Sequence, residues 1–152
     1  MITEEVSMRF WLTMLLVLVL DQLSKLWVVH SFNPGESRAV WDQVFYLTYV
    51  QNQGAAFGML PGKSWLFLIG ALVVIVVLII FNSRHPQPHG IQVITGLIVA
   101  GAAGNLLDRV RLNYVVDFFD LGWWPVFNVA DIAIVGGAIL LVVILFRDEK
   151  VS

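Results

Sequence analysis

Residues 91–110 read IQVITGLIVAGAAGNLLDRV. Up to Gly104 the stretch carries no charge, and a helix of about 20 residues at about 1.5 Å rise per residue covers a hydrocarbon core roughly 30 Å thick. Its far end is different. Gly101, Asn105, Asp108 and Arg109 recur at spacings of three and four and so share one helical face. The run Ala100-Gly101-Ala102-Ala103-Gly104 lets a second helix approach closely, which is the packing role small residues play inside membranes. One segment therefore predicts both a membrane span and a polar cluster toward one membrane face.

Working outward, three further segments are long and apolar enough to span: approximately 9–29, 64–81 and 127–146. The whole chain of 152 residues is 59% hydrophobic, with a mean hydropathy of +0.82. That exceeds the roughly 45–50% apolar share of ordinary soluble domains. The expected fold is all-α, four transmembrane helices in one integral-membrane domain over residues 1–152. The first span is not read as a cleaved leader. Glu4 and Glu5 precede it, Asp21 and Lys25 interrupt it, and no small-x-small site follows. Trp11, Trp27, Trp65, Trp123 and Trp124 fall near the span ends, where amphipathic rings favour the headgroup level.

Charge does not orient the bundle. Arg9, Arg84, Arg147 and Lys150 lie on the terminal side, against Arg38, Lys63, Arg109 and Arg111 on the other, a tie. The connection 30–63 is long and should hold structure. Val44, Tyr46, Thr48 and Val50 alternate there with Phe45, Leu47 and Tyr49, predicting a strand over 44–50 that packs over the helices or lies on the membrane surface. The connection 111–126 is too apolar around Asp117 to be a free loop.

Composition excludes several chemistries. Nine basic and eleven acidic residues are scattered, so there is no basic stripe for nucleic acid. There is no cysteine, hence no thiolate nucleophile and no thiolate metal site. His85 and His89 have zinc-like spacing, but Pro86 and Pro88 argue against the helix that zinc ligation would need. Ser24 and Lys25, adjacent on a helix, point in different directions and make a poor dyad. No metal and no cofactor is expected. No internal repeat supports a transporter built from two halves.

The remaining polar residues each admit a bland reading. Asp21 lies about 16 Å along the helix from Phe10. It could form a local ion pair with Lys25, whose ammonium would snorkel to the interface. Asp108 reads as a structural ion-pair residue. The planar fork of Arg109 suits either an acid or a substrate carbonyl. Asn128 can cap the helix after Pro125, with Asp131 in its first turn at the positive end of the dipole. Against that last reading stands Asp117, in a connection able to fold back onto the same helix start. Two neighbouring carboxylates that share one proton can activate water and protonate a leaving amide nitrogen, which is peptidase chemistry without metal or thiol.

Five segments taken in order, Asp21-Gln22-Leu23-Ser24-Lys25, Asn52-Gln53-Gly54-Ala55-Ala56-Phe57, Gly101 to Arg109, Val115-Val116-Asp117-Phe118 and Phe127-Asn128-Val129-Ala130-Asp131, resemble the motifs of the lipoprotein signal peptidases, or signal peptidase II. The resemblance covers almost the whole chain. It implies a bacterial inner-membrane aspartic endopeptidase with cytoplasmic termini and an active site at the periplasmic or outer face. Its substrate would be a prolipoprotein, cut just before a cysteine that already carries diacylglycerol. It makes Asp117 and Asp131 the catalytic pair, and Asp21, Lys25, Asn52, Gly54, Asn105, Arg109, Asn128 and Ala130 the residues that shape the pocket and bind peptide. It also implies a small extracytoplasmic sheet and a short helix over the pocket. Membrane lipids and the lipid-modified substrate are the expected partners, the enzyme is expected to be a monomer, and lipid chains are expected to enter through a cleft opening sideways between helices.

Within such a pair, Asp131 at a helix N-terminus should favour ionisation, whereas Asp117 among Val115, Val116, Phe118 and Phe119 should tend to hold the proton. A small transporter or proton-pathway subunit is the alternative function. It would distribute polar residues through the membrane depth, and here they gather toward one face.

Overall fold

The computed structural model describes residues 2–54, 64–84 and 87–148. Four helices, α1 (Ile2–Ser31), α2 (Ser64–Arg84), α3 (His89–Leu112) and α4 (Val129–Asp148), are long and apolar enough to cross a membrane. They match the four expected spans: α1, α2 and α3 run past the expected ends by up to seven residues, and α4 both starts and ends two residues later than expected. Among the described residues there are also three short strands: β1 (Ser37–Trp41) and β2 (Phe45–Asn52) between α1 and α2, and β3 (Val115–Asp120) between α3 and α4.

Helix α3 is the centre of the bundle. In it 61% of the spanning window is buried, against 17% or less in the other three helices, whose outer faces are left for lipid. The small residues of α3 explain this. A side chain at Gly101 would strike the Ala130 carbonyl of α4, and one at Gly104 would strike the Asp21 carboxylate of α1, so these two glycines set how closely α1 and α4 approach.

The strands form one antiparallel sheet, ordered β1-β2-β3. The expected strand over 44–50 is present as β2, displaced slightly, with Val44 in the turn before it. At the end of α3, Asn113 adopts a left-handed conformation (φ 64°) and its N–H returns to the Arg109 carbonyl, which turns the chain into β3. Tyr49, Val116 and Phe118 pack the sheet onto Val28 and Phe32 at the end of α1. Among the described residues no short helix lies over the pocket; residues 55–63 lie outside them, as do His85 and Pro86.

The connection from β3 to α4 is tight. Gly122 (φ 77°) and a hydrogen bond from its N–H to Asp120 Oδ1 (2.8 Å) turn the chain. Phe127 then pairs back onto Phe119 through two backbone bonds of 2.8 and 3.0 Å. This hairpin-like return places β3 against the first turn of α4.

Candidate active site

Helix α4 starts with a reciprocal cap. Asn128 Oδ1 accepts the Asp131 N–H at 2.9 Å, and Asp131 Oδ2 accepts the Asn128 N–H at 3.2 Å. Two of the orphan donors at a helix start are thereby satisfied by the pattern known as a capping box. The capping reading of these residues is correct as local structure, and it also positions a carboxylate. Fixed by its oxygen, the Asn128 amide turns its NH2 toward β3, where it donates to Asp117 Oδ1 at 2.6 Å.

Two more asparagines behave alike. Asn52 at the end of β2 accepts the Gly54 N–H (3.0 Å) and donates to Asp117 Oδ2 (2.9 Å). Asn105 of α3 accepts from Lys25 Nζ (3.0 Å) and from Asn128 Nδ2 (3.1 Å), and donates to Asp131 Oδ1 (2.8 Å). In each case a second partner fixes which end of the amide faces the carboxylate. All four oxygens of Asp117 and Asp131 therefore meet an N–H donor, and none of those donors carries a charge. Such a setting can hold one negative charge and one proton without locking either carboxylate into a salt bridge.

Lys25 does not snorkel. It is 3% exposed and turns inward, 2.9 Å from Asp21 and 3.0 Å from Asp108. The snorkelling expectation fails because α1 packs against α3 at this depth, so Lys25 finds two carboxylates and an amide oxygen within the bundle. Asp21 is also more than half of a local pair. Its Oδ1 accepts the Ala130 N–H (3.0 Å), so a carboxylate of α1 caps another orphan donor of α4. Asp108 pairs with Lys25, while Arg109 next to it turns elsewhere; Asp108 Oδ2 also receives the Val116 N–H at 3.1 Å and ties down the start of β3. Gln22 is a member of this cluster that sequence reasoning passed over. It donates to Asp21, to Asp108 and to the Gly104 carbonyl. The only signal for it was its place in the Asp21–Lys25 motif, on a helix otherwise read for charge. Ser24 donates to the Asp21 carbonyl at 2.8 Å, a local backbone bond away from Lys25.

A cavity of about 230 Å³ opens beside the two carboxylates. Asp117, Asp131, Asn52, Asn105, Gly54 and Arg109 reach its wall, and Trp124 to Phe127 close one side. Arg109 is half-buried, stands 5.4 Å over the Phe67 ring of α2, and donates weakly to the Gly54 and Asn105 carbonyls (3.5 and 3.4 Å). Among the described residues it has no carboxylate within ion-pairing distance, so its planar fork remains available to the cavity. Asp21, Lys25, Asp108, Asn128 and Ala130 stand behind the wall and are almost fully buried. The structure thus divides the expected binding residues into those that face the cavity and those that hold the facing ones.

Asp117 is 2% exposed. Burial, and then the negative charge of Asp131, push its carboxyl up to about 7, against the bonds from Asn52 and Asn128 that favour its ionised form. The aromatic and β-branched residues beside it in β3 supply the burial: Val115, Val116 and Phe118 are each 3% exposed or less.

A family model described as signal peptidase (SPase) II matches residues 13–147. A lipoprotein signal peptidase of Syntrophomonas wolfei is 57% identical over 143 residues, covering 94% of this chain and 96% of that protein. Another, of Halothermothrix orenii, is 47% identical over 142 residues, covering 93% and 98%. A bacterial membrane enzyme solved by the in meso method at 2.3 Å resolution superposes with a TM-score of 0.87 at 33% identity, over 92% of this chain and 88% of that one. Sequence likeness and superposition both run through all four spans and the sheet, so the resemblance drawn from five short motifs extends to the full architecture, and the chain belongs to the signal peptidase II family.

Proposed function

We propose that this protein is an aspartic endopeptidase that removes the signal peptide from diacylglyceryl-modified prolipoproteins, cleaving before the lipid-modified cysteine. The observation that carries the reading is the pair Asp117 and Asp131: two carboxylates from different elements, each held by uncharged donors, facing one cavity near the end of the bundle. The transporter alternative is not favoured, since Asp21, Lys25, Asp108, Arg109 and Asp131 collect at that same end.

The division of labour follows from burial. Asp117 holds the proton below about pH 7, and Asp131, receiving the Asn105 amide and the Asn128 N–H, is the base. Asp131 takes a proton from a water in the cavity as that water's oxygen attacks the scissile carbonyl carbon. Asp117 gives its proton to the carbonyl oxygen, forming a tetrahedral diol. When the C–N bond breaks, Asp131 returns its proton to the leaving nitrogen and Asp117 recovers one from the diol hydroxyl. Arg109 is placed to orient a substrate carbonyl at the cavity edge.

The helices make this a multi-pass membrane protein. Location in the bacterial inner membrane, with cytoplasmic termini, outward-facing carboxylates and monomeric action, belongs to the proposal. Its rationale is that an exported precursor must meet the enzyme on the outer face. The test is incubation of the purified protein with a diacylglyceryl-modified prolipoprotein, read as a size shift on a gel. Cleavage that requires the lipid modification supports the reading, and an intact substrate with well-folded enzyme overturns it.

A further inference from the structure

The catalytic cavity does not end at Asp131. Trp124, Phe127, Asp131 and Val135 also belong to a second hollow of about 460 Å³ on the outer side of α4. Leu121 and Trp123 roof it, and Ile132, Gly136 and Ile139 form its floor. Ile132, Val135 and Ile139 are all more than half exposed on a face that meets lipid. From Asp131 to Ile139 the floor runs eight residues, about 12 Å along the helix, and Asp131 at its head is its one charged residue.

Gly136 gives the groove its depth. The neighbouring Gly137 has a packing reason: a side chain there would strike Ile98 of α3. A side chain at Gly136 would meet nothing within 4 Å. Glycine inside a helix costs about 1 kcal/mol relative to alanine, so one with no helix packed on it leaves room that a side chain would otherwise fill.

We infer that this groove seats an acyl chain of the lipid-modified substrate; the inference rests on the peptidase reading above. A chain attached to the residue beside the scissile bond must leave the cavity close to Asp131, where the groove begins. Lipid tails and this lining are equally apolar, so moving a chain from bilayer to groove gains packing and orientation rather than a hydrophobic transfer. The groove therefore acts on alignment of the scissile bond, and its loss is read in kcat/KM.

The experiment compares the parent, Gly136→Ala and Gly136→Leu on one prolipoprotein carrying either a dipalmitoylglyceryl or a dibutyrylglyceryl group, in detergent, with unfolding temperatures measured in parallel. Filling the groove with leucine is expected to lower kcat/KM for the dipalmitoyl substrate at least tenfold while changing the dibutyryl substrate less than about threefold, with alanine in between. The parent's ratio between the two substrates persisting in a folded Gly136→Leu variant would overturn the inference. Should leucine impair folding, a substrate with a photoreactive acyl terminus, held uncleaved by Asp117→Asn, decides: labelling of Ile132 to Ile139 supports the groove, and labelling confined to α2 overturns it. Failure of the parent to cleave either substrate would instead remove the peptidase reading, and the groove's assignment with it.

Discussion

Replacing Lys25 by methionine keeps the apolar stem and removes the ammonium from between Asp21 and Asp108, which are 0% and 3% exposed. Breaking a buried ion pair by removing one partner costs about 3–5 kcal/mol, because the remaining charge stays desolvated. Here two carboxylates are stranded, but each keeps a backbone donor, Ala130 N–H or Val116 N–H, and shares Gln22. The cost should therefore lie near the lower bound, about 3 kcal/mol, which for a chain of this size lowers Tm by roughly 6–12 °C. Tryptophan fluorescence during thermal unfolding in detergent measures it. On an Asp108→Asn background, with one carboxylate neutral, the same replacement should cost at least about 1 kcal/mol less, because the two sites share a contact. Below the unfolding range kcat should also fall, since Lys25 no longer fixes the Asn105 amide that donates to Asp131. A Tm within about 2 °C of the parent, or strictly additive effects of the two replacements, would refute the reasoning.

Activity should decline as pH rises through about 7, where Asp117 loses its proton. Asn52 donates to the Asp117 carboxylate and so favours ionisation; Asn52→Leu should move that alkaline limb to higher pH, and a shift to lower pH would contradict the account. The same raised value means that the native state binds more protons than the unfolded chain between about pH 4 and about pH 7. The Asp117 contribution to Tm should accordingly fall across that window as pH rises, and Asp117→Asn should flatten the dependence. Gly101→Ala, whose new methyl meets the Ala130 carbonyl and Ile134, should cost about 1–3 kcal/mol or more through overpacking and reduce activity with it. Gly136→Ala should leave Tm unchanged or slightly raised.

The four spans were legible because a hydrocarbon core imposes length and apolarity on every crossing helix, and the chain meets both in four places. The strand β2 was legible because β-branched and aromatic residues crowd it: Phe45, Tyr46, Thr48, Tyr49 and Val50. Neither of its partners was. Val115 to Phe118 are all buried, since β3 is covered on both faces, and period-two alternation disappears when both faces are covered. In β1 every residue is exposed, and it is a strand only because β2 supplies its partners. The residues of the candidate site were visible as ionisable groups in apolar surroundings. Their partners were not: that Asp21 would cap a helix 109 residues away, or that Lys25 would reach Asn105, depends on how closely α1, α3 and α4 approach. The small residues of α3 permit that approach without naming what will meet there.

The central claim is that Asp117 and Asp131 act together on a peptide bond. The most direct measurement is single-turnover cleavage of a diacylglyceryl-modified prolipoprotein by the parent, Asp117→Asn, Asp131→Asn and the double variant, each checked for an unchanged fold by thermal unfolding. The account predicts that either single replacement abolishes cleavage to the level of the double variant, because the two carboxylates work as one unit. A folded single variant that retains cleavage near the parent's rate would contradict it.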